Sequence, residues 1–167
     1  IGTRPVNYAT KLIYDIDPST GVFDDVMGHM ADFDSKFFSL THDDTINRDV
    51  MLVKGLSTQR YAFGMEEFTQ MQYGCTIETY VYVKRLLDTQ EIFGNSQFTS
   101  FSFGVTDGKT YVRLNSMSEG TEMICNAPFD YNEWVHMTVT YDSRDVRVYL
   151  NGKLAVTDTA SGGLECP

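Results

Sequence analysis

Residues 133–156, EWVHMTVTYDSRDVRVYLNGKLAV, constrain the fold most strongly because their apolar residues recur with a period of two. In a β-strand this period sends alternate side chains to opposite faces. The segment therefore predicts a three-stranded meander with one buried face. The residues expected in its core are Val135, Met137, Val139, Val146, Val148 and Leu154.

Two turns are expected to set the strand registers. Asp107-Gly108 suits a two-residue hairpin loop, which pairs Val105 with Thr110, Phe103 with Val112 and Phe101 with Leu114. For the Asn151-Gly152 turn, a two-residue loop would split the apolar residues between both faces. We therefore expect a three-residue loop, residues 150–152, with Gly152 at positive φ. This loop would pair Val148 with Leu154 and Val146 with Val156.

The rest of the chain also favours strands. Residues 8–17 read as a first strand, residues 22–73 as loop-rich, and residues 75–83 as a strand with Glu78, Tyr80 and Tyr82 on its polar face. No helical pattern is evident beyond one or two turns near residues 63–71. Strands spaced by turns indicate an all-β fold, an antiparallel two-sheet jelly-roll sandwich, formed by one domain over residues 1–167.

The charge balance excludes some partners. The formal net charge is −10, and nine of the fifteen Asp lie in the first fifty residues. An acidic chain is a poor ligand for nucleic acid or anionic membranes, whose phosphates need Lys and Arg. No stretch is apolar enough to insert into a membrane. The acidity suits a solvated surface, a bound cation or a neutral sugar ligand.

Cysteine usage indicates an extracellular or cell-surface setting. The three cysteines are disulfide candidates, but their odd number leaves the pairing open. The chain begins at Ile1, which suggests a segment excised from a larger protein. The candidates are Cys75, Cys125 and Cys166.

One stretch resembles a known family. The pattern W-x-H-x-x-x-x-Y-D followed by Y-x-N-G-K-L is similar to the concanavalin A-like, laminin-G-like jelly rolls. It is carried here by Trp134, His136, Tyr141, Asp142, Tyr149, Asn151, Gly152, Lys153 and Leu154. The resemblance covers residues 75–157 well and residues 8–30 loosely. Such domains continue past this hairpin into a final strand, so we expect another segment to supply that strand here, with Cys166 as a covalent anchor.

The resemblance implies several functions, and catalysis is the least expected of them. Glycoside hydrolases of this fold carry E-x-D-x-x-E on one strand face, and this triplet is absent from the sequence. No nucleophile elbow or phosphate loop is present either. A binding module for glycans or glycosylated surfaces comes first. The alternatives are an adhesion domain that grips protein partners or neighbouring domains, and an accessory domain of an extracellular hydrolase.

Calcium is the one cofactor that the residues suggest. The segment DIDPSTGVFDD places four carboxylates around a turn, and hard oxygen ligands of this kind bind calcium. Its spacing is not that of an EF-hand, and the same residues also fit a solvated turn. The candidate ligands are Asp15, Asp17, Asp24 and Asp25.

Sugar binding would need exposed aromatic rings with polar groups nearby. The strand alternation places suitable residues on the face opposite the expected core, unless a second layer of structure covers them. The candidate ligand-binding residues are Tyr80, Tyr82, Arg147 and Tyr149.

Overall fold

The computed structural model describes residues 14–16, 23–25, 31–32, 38–53, 62–63, 74–94, 101–116 and 120–159. These residues form fourteen β-strands and no helix, which confirms the all-β prediction. The chain divides into two compact units, residues 1–67 and residues 68–167. The expectation of one domain over residues 1–167 stays a prediction.

The first unit consists of three two-stranded antiparallel ladders among its described residues: β1 with β2, β3 with β6, and β4 with β5. Strand β1 lies within the predicted first strand. The hairpin of β4 and β5 was missed, because residues 22–73 read as loop-rich. The strands are β1 (Tyr14–Ile16), β2 (Phe23–Asp25), β3 (Ala31–Asp32), β4 (Phe38–Asp43), β5 (Arg48–Val53) and β6 (Ala62–Phe63).

The second unit carries the predicted meander and forms two four-stranded antiparallel sheets. The first sheet has the order β11-β10-β9-β8, and the second sheet has the order β14-β13-β12-β7. The strands are β7 (Cys75–Tyr82), β8 (Thr89–Gly94), β9 (Phe101–Thr106), β10 (Lys109–Ser116), β11 (Gly120–Ile124), β12 (Trp134–Tyr141), β13 (Asp145–Leu150) and β14 (Lys153–Thr159).

The core of the second unit lies between these sheets, as in a sandwich. Strands β9 and β10 contribute Phe101, Phe103, Val112 and Leu114, which pack with residues of β12 and β13. On β12, buried and partly exposed residues alternate along its whole length. Five of the six predicted core residues are buried: Val135, Met137, Val139, Val146 and Val148.

The Asp107-Gly108 hairpin has the predicted register. Thr110 pairs with Val105, Val112 with Phe103, and Leu114 with Phe101. Both loop residues have positive φ, 47° at Asp107 and 74° at Gly108, as a primed two-residue turn requires. The Arg85 guanidinium donates to the Asp107 carboxylate over 3.0 Å and tethers the loop.

The predicted three-residue loop at Asn151-Gly152 was wrong. Leu150 pairs directly with Lys153, so the loop has two residues, and their φ values of 50° and 76° are again those of a primed turn. Positive φ at Gly152 was correct. The apolar pairing is restored by a bulge rather than by the loop: Tyr149 pairs with Leu154, and Val148 with Val156, which leaves Ala155 as the extra residue.

This register also corrects the position of Leu154. Sequence reasoning placed its side chain in the core, but 55% of the residue is exposed. Leu154 lies opposite Tyr149 on the outer face of the second sheet, because the bulge follows it rather than preceding it. The apolar pattern of β14 therefore crosses from one face to the other.

Residues 160–167 lie outside the described residues, so the expected final strand and the anchoring role of Cys166 stay predictions. Among the residues that are described, no helix is long and apolar enough to cross a membrane.

Candidate binding face on the second sheet

Strands β7, β12, β13 and β14 expose one face of the second sheet, here called the outer face. Side chains alternate between the two faces of each strand, so the residues between the buried ones form this face. Strands β7 and β12 pair along their whole length, so that Tyr82 faces Trp134, Tyr80 faces His136 and Glu78 faces Thr138. Tyr149 of β13 pairs with Thr138, and Leu154 of β14 pairs with Tyr149. These two residues therefore extend the row of Glu78 and Thr138 across the sheet.

Three aromatic rings gather at one end of the outer face. The Trp134 ring stacks on Tyr80, with ring centroids 5.0 Å apart and an interplanar angle of 22°. It meets Tyr82 edge-on at 5.8 Å. Tyr80 and Tyr82 are each 41% exposed. We call these three residues the aromatic cluster; it presents flat, rigid, accessible ring surface.

A polar pair borders the aromatic cluster. The Nε2 atom of His136 and the Oε1 atom of Glu78 lie 2.5 Å apart, which is hydrogen-bond distance. The His136 side chain is 37% exposed and that of Glu78 is 18% exposed. The backbone N–H of His136 also donates to Oδ1 of Asn151 over 3.0 Å, which ties β12 to the hairpin turn. The pair therefore holds a carboxylate and an imidazole in fixed positions beside the rings.

Arg147 lies farther along the face, in the row of Thr140. Its guanidinium donates to Asp142 over 2.9 Å and to Asp145 over 2.7 Å. The hydrogen bond from Arg147 lowers the pKa of Asp142, and the same bond raises the pKa of Arg147. These contacts engage both terminal nitrogens of the guanidinium within the turn that joins β12 and β13.

The structure therefore brings the predicted sugar-binding residues onto one face but not into one cluster. Tyr80 and Tyr82 both belong to the aromatic cluster. The role of the four residues in ligand binding stays a prediction. Tyr149 lies in the row of Glu78, and Arg147 lies one row beyond it.

Sequence reasoning missed three members of this site. Trp134 and His136 were read as parts of a family pattern, and Glu78 as an isolated acid on its strand. The signal was present in the alternation of β12, which already placed Trp134 and His136 on the polar face. The antiparallel register of β7 against β12 was the missing information, since the two strands are far apart in sequence.

The predicted calcium ligands belong to the first unit. Asp15 pairs with Asp24, and Asp25 with Tyr14, across the ladder of β1 and β2, whereas Asp17 lies outside the described residues. Where side chains are described, no group of three or more His, Cys, Asp or Glu could hold a metal ion. The calcium site stays a prediction.

Two of the three disulfide candidates are free thiols. Cys125 is fully buried in the core, and Cys75 packs against the same core. Burial raises the pKa of each thiol to about 12. Both side chains therefore fill core volume as neutral thiols, and Cys166 lies outside the described residues.

A family model of the laminin G type, described as the concanavalin A-like lectin/glucanases superfamily, matches residues 57–165. The chain belongs to this superfamily. The match spans most of the chain and includes both sheets of the second unit. A comparison with curated proteins found no sequence match.

Solved structures with a similar fold include toxin binding domains. The binding domain of Paraclostridial Mosquitocidal Protein 1 superposes with a TM-score of 0.71 at 13% identity, over 92% of this chain and 42% of that one. A structure of botulinum neurotoxin type C, whose cell entry is described as dependent upon interaction with two ganglioside molecules, gives a TM-score of 0.58 at 18% identity, over 92% of this chain and 41% of that one.

The binding domain of botulinum neurotoxin DC, solved in complex with rat synaptotagmin II, gives a TM-score of 0.52 at 15% identity, over 89% of this chain and 39% of that one. The chain thus spans about two fifths of the length of these structures. At such identities the likeness concerns the fold.

Proposed function

We propose that this chain is a non-catalytic, extracellular binding module that recognises glycans through the outer face of its second sheet. The observation that carries the proposal is the aromatic cluster, in which Trp134 supports two tyrosines that are each 41% exposed. A pyranose ring presents a flat patch of C–H groups that packs on such a surface. A supported ring loses little side-chain entropy when a ligand stacks on it.

Polar groups at the edge of the cluster support the same function. Glycan recognition needs hydrogen-bonding groups beside the stacking ring, because each sugar hydroxyl that leaves water needs a new partner. Glu78 and His136 lie beside Tyr80 and are held by their mutual contact. A carboxylate accepts hydrogen bonds from hydroxyl donors at more than one position.

The single carboxylate on the two strands that carry the aromatic cluster argues for binding rather than hydrolysis. Glycoside hydrolases of the usual kind place two carboxyl groups on either side of the glycosidic bond. On the described outer faces of β7 and β12, Glu78 is the only acidic residue. Asp142 and Asp145 hold Arg147 at the adjoining turn and so have a structural role.

A protein ligand is the second candidate, favoured by Leu154. This side chain lies opposite Tyr149 and is 55% exposed, which extends the apolar surface beyond the aromatic cluster. Exposed aromatic residues beside apolar ones are typical of protein-binding hot spots. One structurally similar toxin domain was solved with synaptotagmin II and another is described with gangliosides, so the fold itself is compatible with either ligand class.

The test compares glycan-array binding of the wild type with single variants of the aromatic cluster. We expect Tyr80→Ala and Tyr82→Ala to lower affinity at least tenfold, and Tyr80→Phe to retain most of it, since the ring is preserved. Leu86→Ala removes a 59% exposed apolar side chain outside the outer face and is the matched control. Absence of glycan binding, together with capture of a protein partner that Leu154→Ala weakens, would replace this function by the second candidate.

A further inference from the structure

We infer that the outer face selects glycans by charge, taking neutral oligosaccharides and rejecting their sialylated or sulfated forms. This inference rests on the proposed function and names the ligand class of the same site. Two observations support it. One is the sign of the charged side chains beside the aromatic cluster, and the other is the ion pairs that these side chains already form.

Within strand β7, the charge beside the stacking surface is negative. Glu78 precedes Tyr80 by two residues on β7, so both lie on the same face, roughly 7 Å apart along the strand. The Glu78 side chain is only 18% exposed, so water screens its charge less than at an open surface. An anionic substituent on a sugar stacked at Tyr80 would therefore meet a like charge in a partly dehydrated setting.

Hydrogen-bond chemistry points the same way. An ionised carboxylate only accepts hydrogen bonds, and a neutral sugar offers many hydroxyl donors. The carboxylate of a sialic acid and the oxygens of a sulfate ester offer none. One Glu78 oxygen, Oε1, already contacts Nε2 of His136 over 2.5 Å. An anionic group that covers Glu78 would bring a second set of acceptors against this carboxylate and no donor of its own, which is costly.

The positive charge of this face is engaged. Arg147 donates to Asp142 over 2.9 Å and to Asp145 over 2.7 Å, so two carboxylates already offset its positive charge. Arg147 also lies two rows from the row of Tyr80. The sequence places this residue among the sugar-binding candidates, and that role stays a prediction; its described contacts are with the turn.

Two exposed charges of opposite sign lie near the other end of the aromatic cluster. Lys84 follows Tyr82 by two residues, and Glu133 directly precedes Trp134. Lys84 is thus the described cation best placed in sequence to compete for an acidic sugar. The experiment therefore includes a Lys84 variant.

The experiment is a glycan array on which each neutral oligosaccharide is printed beside its sialylated and its sulfated form. The wild type is expected to bind the neutral member of each pair at least tenfold more tightly. Glu78→Gln keeps the shape of the side chain and removes its charge. This variant should lower the ratio of neutral to acidic glycan affinity at least threefold. Glu91→Gln makes the same change on β8 of the first sheet and should leave the ratio unchanged.

Each result decides a separate question. Equal or tighter binding of the acidic forms by the wild type would overturn the inference, while glycan binding itself would stand. If the protein binds the sialylated or sulfated glycans and Lys84→Met abolishes this binding, Lys84 is an anion site and the inference is overturned. Because the wild-type ratio decides the matter alone, a poorly folded Glu78→Gln does not weaken the test. If none of the glycans on the array binds, the proposed glycan binding itself is overturned.

Discussion

The Trp134 ring stacks on Tyr80, its diagonal neighbour on β7, rather than on Tyr82, which lies directly opposite. The ring centroids of Trp134 and Tyr80 are 5.0 Å apart, whereas Trp134 and Tyr82 meet edge-on at 5.8 Å. Diagonal contacts of this kind are within reach of large aromatic side chains on a sheet. One tryptophan thus supports both exposed tyrosines.

The stacked pair should be energetically coupled. In a double-mutant cycle of Tyr80→Ala and Trp134→Ala, the two losses of unfolding free energy should be non-additive by about 0.5–1.5 kcal/mol, the range measured for aromatic pairs. Urea unfolding of the four proteins gives this value. Tyr80→Ala combined with Leu86→Ala should be additive, and an additive Tyr80–Trp134 cycle would show that the stack contributes nothing to stability.

The corrected register of β14 separates two apolar residues that the sequence alone had placed together. Met137 is fully buried, so Met137→Ala should lower the unfolding free energy by about 2–5 kcal/mol. Leu154 is 55% exposed, so Leu154→Ala should change it by less than about 0.5 kcal/mol. Chemical denaturation measures both. A large loss of unfolding free energy in Leu154→Ala would instead support the predicted three-residue loop, in which Leu154 is buried.

The turn at Asn151-Gly152 requires glycine for its backbone rather than for space. Gly152 has a φ of 76°, and a Cβ atom built there would meet nothing within 4 Å. Gly152→Val should therefore cost about 1–2 kcal/mol through strain at positive φ. The neighbouring exposed strand residue is the control: Lys153→Val should be nearly neutral in the same thermal unfolding assay.

Gly104 is required for the opposite reason, which is space. A Cβ atom at this position on β9 would lie 2.2 Å from the Gln90 carbonyl oxygen and 3.0 Å from the Tyr111 ring. The carbonyl belongs to the backbone of β8 and cannot rotate away. Gly104→Ala should destabilise the protein by about 1–3 kcal/mol or more. Unchanged thermal stability of this variant would contradict the β8–β9 register.

The buried thiols predict a loss of stability in alkali. Burial raises the pKa of Cys75 and Cys125 to about 12, whereas the thiols of the unfolded chain ionise near 9.0. Because the folded state keeps its protons, this contribution to stability is complete below pH 9 and is lost as the pH rises from 9 towards 12. Unfolding measured from pH 7 to 10.5 should show the loss.

Alkylation gives an independent readout of the same two thiols. In a Cys166→Ser background, iodoacetamide at pH 8 should leave the folded protein unmodified and label Cys75 and Cys125 once urea unfolds it, since the thiolate is the reactive form. The double variant Cys75→Ala/Cys125→Ala should show a shallower alkaline decline. Rapid labelling of either thiol in the folded protein would show that the core around it is open.

Local patterns in the sequence determined most of the second unit. Alternation along residues 134–141 assigned both faces of β12, because a strand leaves each side chain only two directions. Asp107-Gly108 determined a hairpin register, because both residues tolerate the positive φ of a two-residue loop. These features depend on residues within a few positions of one another, so a single sequence suffices to predict them.

Tertiary structure decided what depends on distant segments. The bulge at Ala155 reconciles an ideal two-residue turn with an apolar core, and such a compromise depends on packing across the sandwich rather than on the turn residues. The contact of Glu78 with His136 joins residues 58 positions apart, and the stacking of Tyr80 on Trp134 depends on the same pairing of β7 with β12. Alternation tells which face a side chain takes, but only the strand register tells which side chains meet there.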